Sequence, residues 1–227
     1  MLSVHSPFSS LRIAGWPDTE VARVERTVAL AEALGASVVN LHLPFRIRYL
    51  VMDIAGRRRT IPIPRPTADQ RRYHHWLVEG GLAALQKQTN VTIVIENLPM
   101  RSFLGRRYSP FAMNTWDEIG AFPHICLDTT HCGTADADIL AVYEQLADRI
   151  SHVHLSDYGD RQEHRSVGRG ALPLGEFLQT LARRNYAGSV VVELSPETLP
   201  VHDEEELAAE LRRNLEFCRR YLGQIVN

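Results

Sequence analysis

The sequence predicts an α/β fold, a (β/α) barrel with about six units. Three observations predict it. Short apolar runs rich in Val and Ile alternate with helical patterns, the signature of βα units and a parallel sheet. Those runs are near-continuous in apolar character, as strands covered on both faces are. Turn residues bound each run. With 227 residues, 44% of them hydrophobic, the chain can bury one sizeable core, so a single domain over 1–227 is expected.

In chain order the strand candidates are Leu2–His5, Val38–Leu43, Val91–Glu96, His124–Asp128, Ile150–Ser156 and Ser189–Leu194. The helices between them carry start and stop signals. Asp18 caps a helix running to about Leu34, with Gly35 as its stop, and Val21, Val24, Val28 and Ala31 follow helical spacing. Thr67 with Gln70, and Thr115 with Glu118, match capping boxes. Asp136 opens a helix, Gly175 precedes another, and Asp203 opens a terminal helix to about Tyr221. The segment Arg57–Pro66 reads as a loop, since prolines at 62, 64 and 66 forbid regular helix. Six units fall short of the eight of a closed barrel of the TIM type. Open sheet edges are association hazards, so a homo-oligomer that covers them is expected.

Composition excludes several classes. Charged residues make up 23% and the net charge is −2, against disorder and against a globally basic nucleic-acid binder. No apolar run approaches the roughly 20 residues of a membrane span. The start of the sequence, MLSVHSPFSS, lacks a basic stretch followed by an apolar core, so no secretory signal is expected. Cys126, Cys132 and Cys218 are odd in number without CxxC spacing, which fits reduced thiols and a cytoplasmic location. Lys87 is the only lysine and falls at a helix end, so Schiff-base chemistry is not expected.

What ends each strand carries the chemistry. The chain reads SVHSP at His5, NLHLP at His42, VIENLP at Glu96, CLDTTHC at Asp128 and His131, HVHLSD at His154 and VVELSP at Glu193. In a parallel barrel these positions share one rim, where active sites are built. Strand alternation places Val94 with Glu96, Cys126 with Asp128, His152 with His154 and Val191 with Glu193, all facing inward. Ile93, Ile95, Leu127, Val153, Val190 and Val192 then face helices. Clustered carboxylates repel unless a cation compensates them. The mixed N/O set calls for a divalent metal: Mn, Zn, Co, Fe or Mg rather than Ca.

Blander readings compete. Glu96, Asp128, His154 and Glu193 could each be a rim cap or ion pair, and His131 a turn residue. His5 and His42 could be core histidines, and His164, in EHRSVGRG, a solvated loop residue. His152 reads as core or as a partner behind His154, and His74 and His75 as surface residues.

At LAEALGASVVNLHLP, IVIENLP, CLDTTH, ISHVHLSD and HRSVGRG the chain resembles the xylose-isomerase-like barrel superfamily. That group includes sugar (phosphate) isomerases and epimerases and the endonuclease IV type of apurinic-site nuclease. The order of motifs makes Leu2–His5 resemble the family's third strand, which implies that the first two βα units are missing. By resemblance, Glu96, Asp128, His154 and Glu193 are the ligands of the epimerase branch's single metal, and His131 contacts substrate. In the trinuclear nuclease branch the ligand set extends to His5, His42, His131 and His164. One nuclease ligand, an aspartate, falls at Gln162, with Asp160 nearby. Xylose isomerase proper also uses a lysine at its metal, and no strand here ends in one.

The resemblance implies a metal-dependent isomerase or epimerase acting on a sugar, sugar phosphate or related polyol. The reaction expected is proton transfer through a metal-bound enediolate, with Glu96 and Glu193 as the two proton carriers. His152 or Asp157 would orient His154. Eight arginines between 46 and 72 (46, 48, 57, 58, 59, 65, 71 and 72), with three more at 101, 106 and 107, argue for an anionic substrate. Two alternatives remain: an endonuclease IV-like phosphodiesterase on abasic DNA, and a non-catalytic degenerate barrel.

Overall fold

The structure, a computed structural model, describes residues 2–7, 13–54, 57–63, 65–103 and 105–223. Its elements run β1 (Ser3–His5), α1 (Glu20–Ala33), β2 (Val38–Leu41), β3 (Arg48–Ile54), β4 (Arg57–Ile63), α2 (Ala68–Val78), α3 (Gly81–Gln86) and β5 (Thr92–Glu96). There follow β6 (Arg101–Phe103), β7 (Arg106–Tyr108), α4 (Trp116–Ile119), β8 (Ile125–Asp128), α5 (Thr129–Ala135) and α6 (Ile139–Leu146). The last are β9 (Ile150–Leu155), β10 (Asp157–Gly159), β11 (Gln162–Arg165), α7 (Leu174–Arg183), β12 (Ser189–Val192) and α8 (Glu204–Leu222). All six apolar runs form strands, each trimmed at one end.

The chain divides into two compact units. One is Met1–Leu98 with Tyr108–Ala121, the other Pro99–Arg107 with Phe122–Asn227. In the first, β2 pairs in parallel with both β1 and β5, putting Asn40 beside His5 and beside Val94. In the second, β9 pairs in parallel with β8 and β12. Cys126 lies beside His152 and Asp128 beside His154, while Ser189 and Val191 flank His152 and His154 from the other side.

Each unit is covered by a helix whose apolar stripe follows the helical period. In α1 the buried face is Val24, Thr27, Val28 and Ala31. In α7 it is Leu174, Phe177, Leu178 and Leu181. Both are an i, i+3, i+4, i+7 stripe. Burial of each large side chain contributes roughly 1.5–3 kcal/mol.

The details depart from the expected signals in instructive ways. The α1 cap position is Thr19, not Asp18. Thr67 accepts from Gln70 N, but the Gln70 side chain turns away to receive Phe45 N at 2.7 Å and to donate to Glu20. Thr115 and Glu118 do form a full capping box, although α4 spans only four residues. Asp138, rather than Asp136, caps α6, accepting from Leu140 N and Ala141 N; Asp136 ends α5 in the left-handed region at φ 58°. The expected loop at Arg57–Pro66 is largely β4, paired antiparallel with β3. Pro62, opposite Tyr49, is tolerated because each strand of a two-stranded ribbon has one side outside the ladder. Gly56, Pro64 and the side chains of Arg57, Arg58 and Arg59 lie outside the described residues. No helix among the described residues is long and apolar enough to cross a membrane.

Glu20, at the start of α1, sits beside Arg23 and Gln70. Burial pushes its carboxyl from the ordinary 4.5 up to about 7, opposed by Arg23, assisted by the charge of Asp69 and opposed by the Gln70 hydrogen bond. The unfolded chain therefore releases this proton near 4.5 while the folded chain holds it to about 7. The stability this contributes is full below 4.5 and is lost as pH rises through 7. Glu20→Gln is expected to resist urea better than the wild type at pH 8, with the gap shrinking at pH 5. A gap that is constant across this range removes Glu20 as the cause.

Candidate metal centre

In the first unit Glu96 ends β5, buried, and one of its oxygens receives three groups. His42 Nε2 lies 3.1 Å from Oε2 and His5 Nε2 3.4 Å, while the Asn40 amide donates to the same oxygen. Strand alternation puts Asn40 and His42 on one face, with β1 and β5 on either side. The two imidazole rings meet edge to face at 4.6 Å. His5 turns Nδ1 to Ser6 O at 2.8 Å, which leaves Nε2 for Glu96. Asn40 Oδ1 is buried and has no hydrogen-bond partner among the described residues. The donor atoms of His5, His42 and Glu96 lie within 4.8 Å of one another.

In the second unit Asp128 is fully buried at the end of β8, and its two oxygens are divided. Oδ1 caps α5, accepting from His131 N at 3.0 Å. Oδ2 faces His131 Nδ1 at 3.6 Å and His154 Nδ1 at 3.9 Å. His154 Nδ1 also lies 2.6 Å from Glu193 Oε2. Glu193 follows β12 directly and is fixed by its own N–H, which donates to Leu155 O at 3.1 Å. Its side chain is 40% exposed, whereas those of Asp128 and His154 are 0% and 7%. Asp128 and His154 are thus shielded, and Glu193 is partly exposed while its Oε2, turned to His154, is buried.

The loop after β9 is built rather than solvated. His164 adopts a left-handed φ of 53°, a conformation that costs a non-glycine residue about 1–3 kcal/mol and needs support. The support is visible. His164 N donates to Thr130 Oγ1 at 3.1 Å, and its carbonyl accepts from Ser195 N at 3.0 Å and Thr198 Oγ1 at 2.9 Å. Its ring stands edge to face with His131 at 5.3 Å. The donors of Asp128, His131 and His164 lie within 4.8 Å of one another. Asp157, expected behind His154, instead collects backbone N–H groups: Tyr158 at 2.9 Å, Gly168 at 3.0 Å, Gly170 at 2.9 Å and Leu172 at 3.1 Å. A side chain at Gly170 would collide with the Asp157 carboxylate and the Tyr158 carbonyl. Gly170→Ala is expected to destabilise the protein by about 1–3 kcal/mol and to speed amide exchange at 168–172. Unchanged exchange there would show that the loop does not depend on this carboxylate.

Asp128, His154 and Glu193 suit a divalent cation. Two carboxylate oxygens converge on one imidazole nitrogen, and a single proton on that nitrogen can serve only one of them well. A cation with oxygen and nitrogen ligands serves all three at once, and these three donors lie within 4.8 Å of one another. The remaining sequence candidates are placed as follows. His75 is on the surface, paired with Glu79 at 2.9 Å, and His74 is partly exposed on the same helix. Gln162 is exposed, and nearby Asp160 pairs with Arg165 at 2.8 Å. Of the arginines, Arg72 pairs with Asp69, Arg101 with Glu163 and Arg107 with Asp136, and Arg71 donates to Pro66 O.

Residues 2–221 match the family model described as a xylose isomerase-like TIM barrel. The chain belongs to this family. Six parallel strands among the described residues, in βα units, are two short of a closed barrel's eight. An uncharacterized protein of Mycobacterium leprae (strain TN) is 30% identical over 243 residues, which cover 98% of this chain and 78% of that protein. Among solved structures, a D-tagatose 3-epimerase-like protein shares 20% identity at a TM-score of 0.57, covering 96% of this chain and 78% of that one. The 3-keto-D-glucoside 4-epimerase of E. coli, in apo form, shares 16% at 0.60, covering 88% and 70%. The IolI protein with a binding zinc atom shares 15% at 0.57, covering 89% and 71%. At these identities the solved structures establish the fold of a xylose isomerase-like barrel. Sequence reasoning did not find the Asn40 amide on Glu96, although NLHLP places Asn40 two residues before His42. It also did not find the role of Asp157, whose partners are backbone groups and leave no side-chain signal.

Proposed function

We propose that this xylose isomerase-like protein is a sugar isomerase or epimerase that works with one divalent cation. The observation that carries the reading is the convergence of Asp128, His154 and Glu193 at the ends of three neighbouring parallel strands. The family resemblance adds Glu96 to this ligand set. Similarity in fold to sugar epimerases, and to a zinc-containing relative, supports the reading.

A cation held there supplies Lewis acidity toward a substrate carbonyl and its neighbouring hydroxyl. The chain's own groups do the rest. Glu193, partly exposed, is one proton carrier; Glu96, buried against His5, His42 and Asn40, is the other. Epimerisation needs one group that takes the proton from carbon and one that returns it. His131, fixed by Asp128 and packed on His164, presents a donor to a substrate oxygen. The substrate is a sugar, sugar phosphate or related polyol.

The test is incubation with a panel of ketohexoses and their phosphates in heavy water, with Mn²⁺, Co²⁺ or Zn²⁺ added. The expected result is an epimer or isomer carrying deuterium at the exchanged carbon, formed only with metal. No exchange on any member of the panel counts against the reading.

A second reading draws on a specific observation. His5–His42–Glu96 and Asp128–His131–His164 are two further groups of donors, each within 4.8 Å. More than one ion would suit an endonuclease IV-like phosphodiesterase. Three ions per chain together with cleavage of abasic DNA would favour it over the sugar reading.

A further inference from the structure

Beneath Asp128 and His154 the same strands carry a second layer of ligand-type side chains. Side chains alternate along a strand, so Cys126 and His152 share the face of Asp128 and His154, one pleat lower. Parallel register makes Cys126 and His152 direct neighbours across β8 and β9, as Asp128 and His154 are above them. Cys126 and His152 are fully buried and His154 nearly so. The three donor atoms lie within 4.8 Å of one another.

We propose that Cys126, His152 and His154 form a second cation site, for a thiophilic metal such as Zn²⁺ or Cd²⁺, directly below the carboxylate site. The two layers differ in kind. The upper offers two carboxylate oxygens and a nitrogen, the lower a sulfur and two nitrogens. Softer ligands select Zn²⁺, Cd²⁺ or Cu⁺, and harder ones suit Mn²⁺ and Mg²⁺.

The surroundings fit a ligand role for His152. Its Nδ1 lies 2.5 Å from Ser189 Oγ on β12, which pairs with it in register. A metal-binding imidazole commonly donates its other ring N–H to such an outer partner, which fixes the tautomer and the ring's orientation. The Tyr186 hydroxyl brings an oxygen to the neighbourhood. It is a buried atom with no hydrogen-bond partner among the described residues. Burial raises its pKa, and the Cys126 thiol adds to the rise. His154 belongs to both sets, so filling the lower site changes the upper one. A thiophilic ion would compete with, or modulate, the cation that the carboxylates hold. The site stands on these residues alone, whatever reaction the rim performs.

The experiment is a Cd²⁺ titration of the full chain after chelator treatment, read by thiolate-to-cadmium charge-transfer absorption in the ultraviolet. The expected result is a band that saturates at one equivalent, persists in Cys132→Ser/Cys218→Ser and disappears in Cys126→Ser. His152→Gln should weaken Cd²⁺ binding at least tenfold while leaving every thiol in place. Circular dichroism checks that each variant is folded. If Cys126→Ser does not fold, the His152→Gln titration decides alone. No band in the wild type, an undiminished band in Cys126→Ser, or unchanged affinity in His152→Gln overturns the proposal.

Discussion

Glu193→Ala protein, purified without added metal, is expected to hold far less divalent metal than the wild type purified beside it. Even the loss of an outer partner behind a metal ligand lowers affinity about 10–100-fold, and removal of a ligand should do at least as much. Glu193 Oε2 lies 2.6 Å from His154 Nδ1, and Asp128 Oδ2 approaches the same nitrogen from 3.9 Å. Without Glu193, one carboxylate and one imidazole remain from this group. Elemental analysis reads the result directly, and equal metal in the two proteins would defeat the ligand assignment. Activity on any substrate found should fall about 10²–10⁴-fold, the usual contribution of a positioned proton carrier. Because the side chain is 40% exposed, its loss leaves no closed void in the core. The losses of metal and activity should therefore be seen in a protein that still folds.

The largest effect on stability should come from Phe177→Ala. Phe177 is fully buried on α7 between Leu174 and Leu181, and its ring meets that of Tyr143 edge to face at 5.7 Å. Truncating such a ring removes its transfer free energy and leaves a void that neighbours fill only in part, a cost of about 3–5 kcal/mol. A denaturant titration should show a lower midpoint with an unchanged slope. A loss under about 1 kcal/mol would mean that the α7 face repacks freely, contrary to the close packing of protein interiors.

Much of the fold was legible because burial on both faces leaves a simple mark: each of the six apolar runs became a strand. His42 and Glu193 sit just beyond their ladders, although Glu193 N–H still donates to Leu155 O on β9. Alternation alone was enough to group Asp128 with Cys126 and His154 with His152. Other features left no such mark. The segment Thr129–Ala135, TTHCGTA, is poor in helix formers, yet it forms α5. Tertiary partners hold it: the Asp128 cap, and the Thr129 and Thr130 hydroxyls on Ser156 O and Asp157 O. The β3–β4 ribbon was hidden by its prolines, which read as breaks unless the free side of a ribbon is considered. The arginines of these segments are not all open charges. Arg72, Arg101 and Arg107 each have a carboxylate of their own.

One carboxylate, Asp157, gathers the amide hydrogens of a chain stretch reaching to Leu172. That stretch has given up its conformational freedom during folding, before any small molecule arrives. Opening it again requires breaking several hydrogen bonds to one charged group together, so this stretch should exchange its amide hydrogens as a unit.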